Sequence, residues 1–151
     1  MKLFGQFVGS WELDVTWHEG EHAGRTAKGE WHFAYVLEGR AVQDIWIVPS
    51  RAERARGAGP YEWGATLRFY DKAIGAWRST WIGPVHGVVI PFIARAAGDE
   101  IVLEGRSAEG WPMRWIFSEI APRSFHWRQV RSPDGGATWR LYQSMTVRRT
   151  A

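Results

Sequence analysis

The chain has 151 residues, enough for one domain around one core. Hydrophobic residues make up 45% and charged residues 23%, a globular balance that excludes disorder. There is no cysteine, which excludes a disulfide scaffold, a thiolate metal site and a cysteine nucleophile.

Net charge is +3, carried by 16 Arg against 3 Lys. Arginine suits carboxylate or phosphate recognition. Here it is spread singly rather than gathered in a stripe, so no nucleic-acid partner is expected. Met1 to Phe7 lacks the apolar run of a signal peptide, and nowhere do about 18 consecutive apolar residues occur. The expectation is a cytoplasmic protein without a membrane partner. Eleven Trp are the outlier. Each brings a large apolar surface and one N–H that needs a partner when buried.

From residue 10 onward, apolar and polar residues alternate with period two, and turn signals interrupt them at short intervals. The first run is Trp11 to Trp17 and the second is Trp31 to Leu37, closed by Glu38-Gly39. The third is Ala41 to Val48, ended by Pro49. Glu62 to Tyr70 leads through Asp71 to Gly75 into Ala76 to Ile82. Residues 83–97 are less regular, because Pro84, Gly87 and Pro91 interrupt a β-like stretch. Glu100 to Arg106, Met113 to Ile120, Phe125 to Arg131 and Thr138 to Arg148 complete the series. Pro133-Asp134-Gly135-Gly136 is a strong hairpin signal before the last run.

That makes nine clear strands and one doubtful one, with a helical turn only over Lys2 to Val8. Short consecutive strands without crossover helices predict an antiparallel meander. Closing it removes the edges. The expected fold is all-β, a closed antiparallel up-and-down barrel of nine or ten strands in one domain.

Placing charged residues outside puts Arg68, Arg78, Arg114, Arg128 and Arg140 on the outer face. Leu67, Phe69, Trp77, Trp81, Met113, Trp115, Phe117, Trp127, Trp139 and Leu141 then face inward, with Trp11, Leu13, Trp17, Trp31, Phe33 and Tyr35 from the first two runs. Most of the tryptophans share one face, which leaves a packed core or a lined cavity.

Gly9-Ser10-Trp11 opens the first strand after a short helical lead-in. This resembles the Gly-x-Trp signature of lipocalins and the wider calycin superfamily. The resemblance implies that Trp11 plugs the closed end and that an Arg of the last strand packs across it. Inward parity from Trp139 along the last run arrives at Arg149. A desolvated cation–π contact there is worth up to about 2 kcal/mol. The whole chain, including the segments Leu37 to Asp44 and Asp134 to Trp139, is similar to a bacterial family of lipocalin-like proteins without an assigned activity. Nitrobindin-like haem barrels show Gly-x-Trp-x-Gly-x-Gly. Leu13 and Val15 stand here at the later glycines, so no haem or other cofactor is expected.

Asp44 sits in the apolar stretch Val42 to Trp46. If Trp46 points inward, so does Asp44, and its carboxylate must be paired, hydrogen-bonded or protonated. It then orients a ligand, acts as a general base, or serves as the structural partner of an interior Arg or Trp N–H. The opposite parity exposes Asp44 and buries Ile45 and Ile47. His86 lies in the irregular segment Gly83 to Gly87, where a barrel mouth places function. His18 and His22 flank Glu19-Gly20-Glu21 and could chelate a metal with a carboxylate, but the spacing is unspecific and no metal is expected. His32 and His126 share outward parity. The loop Ser50 to Pro60 has the composition of a mobile lid or a solvated linker.

The expected function is binding of a small hydrophobic or aromatic molecule inside the barrel. Trp31, Tyr35, Asp44, Trp46, Trp77, Trp81, His86, Trp115, Trp127, Gln129 and Gln143 are the expected ligand-binding residues. The alternative is a cofactor-independent isomerase, cyclase or lyase using Asp44 and His86 as acid–base groups. If the interior proves filled, a homodimer through outward Ile45 and Ile47 is the reading that remains.

Overall fold

Alternating side chains give each segment one apolar face, and ten such segments bury those faces by curling into a tube. A computed structural model describes residues 2–57 and 61–150. A helical turn, α1 (Lys2–Gly5), precedes β1 (Gly9–Trp17), β2 (Thr26–Val36) and β3 (Ala41–Val48). A second short helix, α2 (Arg51–Ala55), leads to β4 (Glu62–Asp71), β5 (Ala76–Gly83) and β6 (Val88–Ala97). β7 (Glu100–Arg106), β8 (Pro112–Ala121), β9 (Ser124–Arg131) and β10 (Arg140–Arg149) complete the chain. Consecutive strands pair antiparallel, and β1 pairs with β10 to close a ten-stranded barrel. The irregular stretch 83–97 thus contains a full strand, β6, with Pro91 on its outward side.

One end is plugged. α1 and the residues after it insert Phe4 and Phe7 into the barrel, both fully buried. Phe4 meets Trp77 edge-on at 5.1 Å, and Phe7 lies 5.0 Å from Phe117 and 4.8 Å from Phe125. Trp11 donates its indole N–H to the Phe7 carbonyl at 2.8 Å. The Arg149 guanidinium stacks over the Trp11 ring at 4.1 Å and also donates to the Gln6, Val8 and Pro122 carbonyls. The bonds to Gln6 and Val8 satisfy carbonyls of the turn that leads out of α1, and the bond to Pro122 ties in the turn between β8 and β9. Gly9 follows at φ 130°, and any Cβ there would meet the Arg149 side chain.

Several expected orientations are corrected. In β4 it is Arg68 that faces inward, while Leu67 and Phe69 are exposed. Arg68 meets the inward-facing Asp44 there at 2.7 Å. In β10 a bulge between Leu141 and Gln143 inserts one extra residue. Leu141 is therefore outward and exposed, and Trp139 lies outside under the Arg114 guanidinium at 4.2 Å. Asp44 faces in, Ile45 is exposed, and Ile47 is buried. Ile47 pairs with Glu30 and Trp63, which carry Arg51 and Arg54 of α2. The helix thus covers the outer wall there and removes Ile47 from any exposed patch.

Candidate functional site

The other end of the barrel is open. A cavity of about 610 Å³ runs from this mouth down to the plug, within the usual size of a small-molecule site. Its walls carry a girdle of tryptophans. Trp46 meets Trp81 edge-on at 5.9 Å, Trp81 meets Trp115 at 5.8 Å, and Trp115 meets Trp127 at 5.4 Å. Each of these rings touches the next edge-to-face, the geometry that aromatic pairs favour. Gly64 makes room for this girdle, since a Cβ there would run into the Trp81 ring and the Ile82 carbonyl.

The floor is polar. Arg68 Nη2 donates to Asp44 Oδ2 at 2.7 Å, and Arg68 Nε reaches Ser79 Oγ at 3.4 Å. Both members of the pair are about 1% exposed. Beneath them the guanidinium rests on the Phe4 ring at 4.6 Å, so the plug is also the seat of the ion pair. Burial pushes the Asp44 carboxyl above its ordinary range, and the Arg68 charge opposes that rise. Trp31 brings its indole close to the same carboxylate. Even so, Asp44 Oδ1, Arg68 Nη1, Trp31 Nε1 and Trp115 Nε1 are buried without hydrogen-bond partners. All four belong to residues that line the cavity, and an unmet buried group costs about 1–3 kcal/mol.

On one wall, Arg131 Nε donates to Gln129 Oε1 at 2.9 Å and Gln129 Nε2 donates to Gln143 Oε1 at 3.3 Å. At the mouth Trp17 stacks on Tyr61 at 4.5 Å, and the His22 ring stands edge-on to Tyr61 at 4.7 Å. Glu62, also at the mouth, is 6% exposed. It accepts from the backbone N–H of Trp63 and Val85 at 3.0 Å and of His86 at 3.2 Å. It also accepts from His86 Nδ1 at 2.9 Å. That bond raises the His86 pKa above its usual value, with burial opposing it and Glu21 adding to it.

Of the expected ligand-binding residues, the structure brings nine to the cavity: Trp31, Asp44, Trp46, Trp81, His86, Trp115, Trp127, Gln129 and Gln143. Trp77 is buried below the floor against Phe4. Tyr35 is half-exposed, with its hydroxyl folded over Gly5 beyond the plugged end. Its parity is inward, but the strand has already left the barrel interior. The pair proposed for acid–base work is split. Asp44 is level with Thr66, four residues along β4 from the Glu62 that holds His86, a separation of about 13 Å. None of residues 51–57 of the loop after β3 lines the cavity. Its last part, 58–60, lies outside the described residues.

Sequence reasoning missed Arg68, Glu62 and Arg131. For Arg68 a signal existed. An inward Asp44 calls for a cation, and Gly64, Thr66 and Arg68 share one parity in β4. Glu62 gave no such signal, because its partners come from a turn more than 20 residues away.

No protein-family model matches the sequence, and no curated protein shows significant similarity to it. Among solved structures, the crystal structure of Rv2717c from M. tuberculosis superposes with a TM-score of 0.60 at 14% identity, covering 98% of this chain and 95% of that one. EF1p2_mFAP2b bound to DFHBI gives 0.43 at 13% identity, over 97% and 95% of the two chains. A redesigned β-barrel gives 0.38 at 14% identity, over 97% and 94%. The likeness to Rv2717c, at that identity, is one of fold alone. The class defined by fold and cavity is an up-and-down barrel plugged at one end and open at the other.

Proposed function

We propose that this chain is a lipocalin-like binding protein that holds a small, flat, hydrophobic or aromatic molecule inside its barrel. The observation that carries the reading is the open cavity of about 610 Å³, walled by tryptophans and floored by Asp44 and Arg68. The lipocalin-like assignment is supported by Trp11 and Arg149 stacking across the plugged end. Ring faces supply apolar contact, while Asp44, Arg68 and Trp31 at the floor favour a molecule whose buried end carries a polar edge. The distance between Asp44 and His86 favours binding over shared acid–base catalysis.

The test is titration of the purified chain with a panel of planar aromatics, with and without an amide or carboxamide edge, read by tryptophan fluorescence. Saturable one-to-one quenching is expected, strongest for members carrying the edge, and weakened by Trp115→Leu. If no member quenches and mass spectrometry finds no co-purifying compound, the reading is lost.

A further inference from the structure

The mouth of the cavity carries a second, chemically distinct constellation. Glu21 and His22 come from the loop between β1 and β2, and His86 comes from the turn between β5 and β6. One ligand atom from each lies within 4.8 Å of the others. Glu21 Oε1 is 3.3 Å from His22 Nε2 and 3.5 Å from His86 Nε2. Ligands of a four-coordinate ion at about 2.0–2.1 Å lie about 3.3–3.5 Å from one another, so two of the three edges already have coordination spacing. Only the edge between the two imidazoles needs to contract.

The geometry points to a binding site for a divalent first-row transition ion of the zinc type, held by Glu21, His22 and His86 at the cavity mouth. Two imidazoles and one carboxylate suit such an ion, whereas magnesium and calcium prefer all-oxygen sets. The second layer is built as such sites require. Glu62 accepts the Nδ1–H of His86 and is itself fixed by three backbone N–H groups. This sets the tautomer and leaves Nε2 free to coordinate. His22 is held edge-on against Trp17 and Tyr61. The three-residue His-x₃-His spacing of the first loop plays no part, since His18 is turned away to Ser144 Oγ at 2.8 Å. Both coordinating histidines line the cavity, so the remaining positions on the ion are open to water or to an anionic group on a molecule inside. This site stands apart from the proposal of aromatic binding, and either can fail alone.

The experiment is calorimetric titration of the untagged chain with Zn²⁺, with Co²⁺ absorption as a second readout. One ion per chain is expected, with visible Co²⁺ bands of low coordination number. His22→Ala and His86→Ala should each weaken binding at least about tenfold, and Glu62→Gln about 10- to 100-fold, while His18→Ala leaves it unchanged. Circular dichroism of each variant shows whether the barrel is retained. The rim histidines carry the decision if Glu62→Gln does not fold. Absence of saturable one-to-one binding, or an equal loss in His18→Ala, overturns the site.

Discussion

Arg68 Nη2 and Asp44 Oδ2 meet at 2.7 Å, with both side chains almost completely withdrawn from solvent. A buried pair of this kind is weak evidence for stability, because desolvation offsets much of the attraction. Removing one partner is a different matter, since it leaves a bare charge. Asp44→Leu and Arg68→Met should each cost about 3–5 kcal/mol. The double replacement Asp44→Leu with Arg68→Met should recover most of that loss. Urea unfolding of the four proteins checks the cycle, and additive losses would show that the two residues do not act as a unit.

Arg149 closes the plugged end by four contacts to one guanidinium. Its planar fork matches three carbonyls and a ring at once, which an ammonium cannot do. Arg149→Leu should lower stability by about 2–3 kcal/mol, from lost charged hydrogen bonds and the stacking on Trp11. Arg149→Lys should restore less than half of that, measured by denaturant midpoint at constant slope. Full rescue by lysine would mean that charge alone matters.

Gly64 faces the Trp81 ring across the β4–β5 ladder. Gly64→Ala should cost about 1–3 kcal/mol by overpacking and should displace the tryptophan girdle. The expected signature is a changed near-ultraviolet circular dichroism band together with weaker quenching by aromatic ligands. A variant with unaltered spectrum and stability would show that Trp81 gives way freely.

Glu30 is held down to about 2 by its hydrogen bonds to Arg51, which outweigh burial. A carboxylate depressed in the folded state adds stability above its unfolded value near 4.5 and loses it as pH falls through that range toward 2. Arg51 is largely exposed, so screening keeps the contribution small. Glu30→Gln should therefore destabilise at pH 7 and match the wild type near pH 2. Thermal unfolding across that window is the measurement. A constant difference at all pH values would place the effect in packing instead.

Period-two alternation, turn residues and the lack of helical periodicity determined the barrel on their own, because strand polarity is a local property of the chain. The same pattern carried Trp31, Trp46, Trp81, Trp115 and Trp127 to one face, and all five line the cavity. Trp11 and Arg149 were legible through the Gly-x-Trp resemblance, and β1 and β10 do lie side by side. What tertiary structure decided were the places where a partner far along the chain outweighs a residue's own preference. Arg68 turns inward because Asp44 on the neighbouring strand needs its charge. Leu141 turns outward because one bulge reverses the parity upstream of Gln143, and Trp139 precedes β10 and lies under Arg114. Tyr35 and Trp77 miss the cavity because Phe4 and Phe7 already occupy that end. Glu21, His22 and His86 meet only because two loops separated by some 60 residues open on the same rim. Alternation reports which face a side chain takes, but depth along the barrel and pairing across it depend on closure, and closure is a property of all ten strands together.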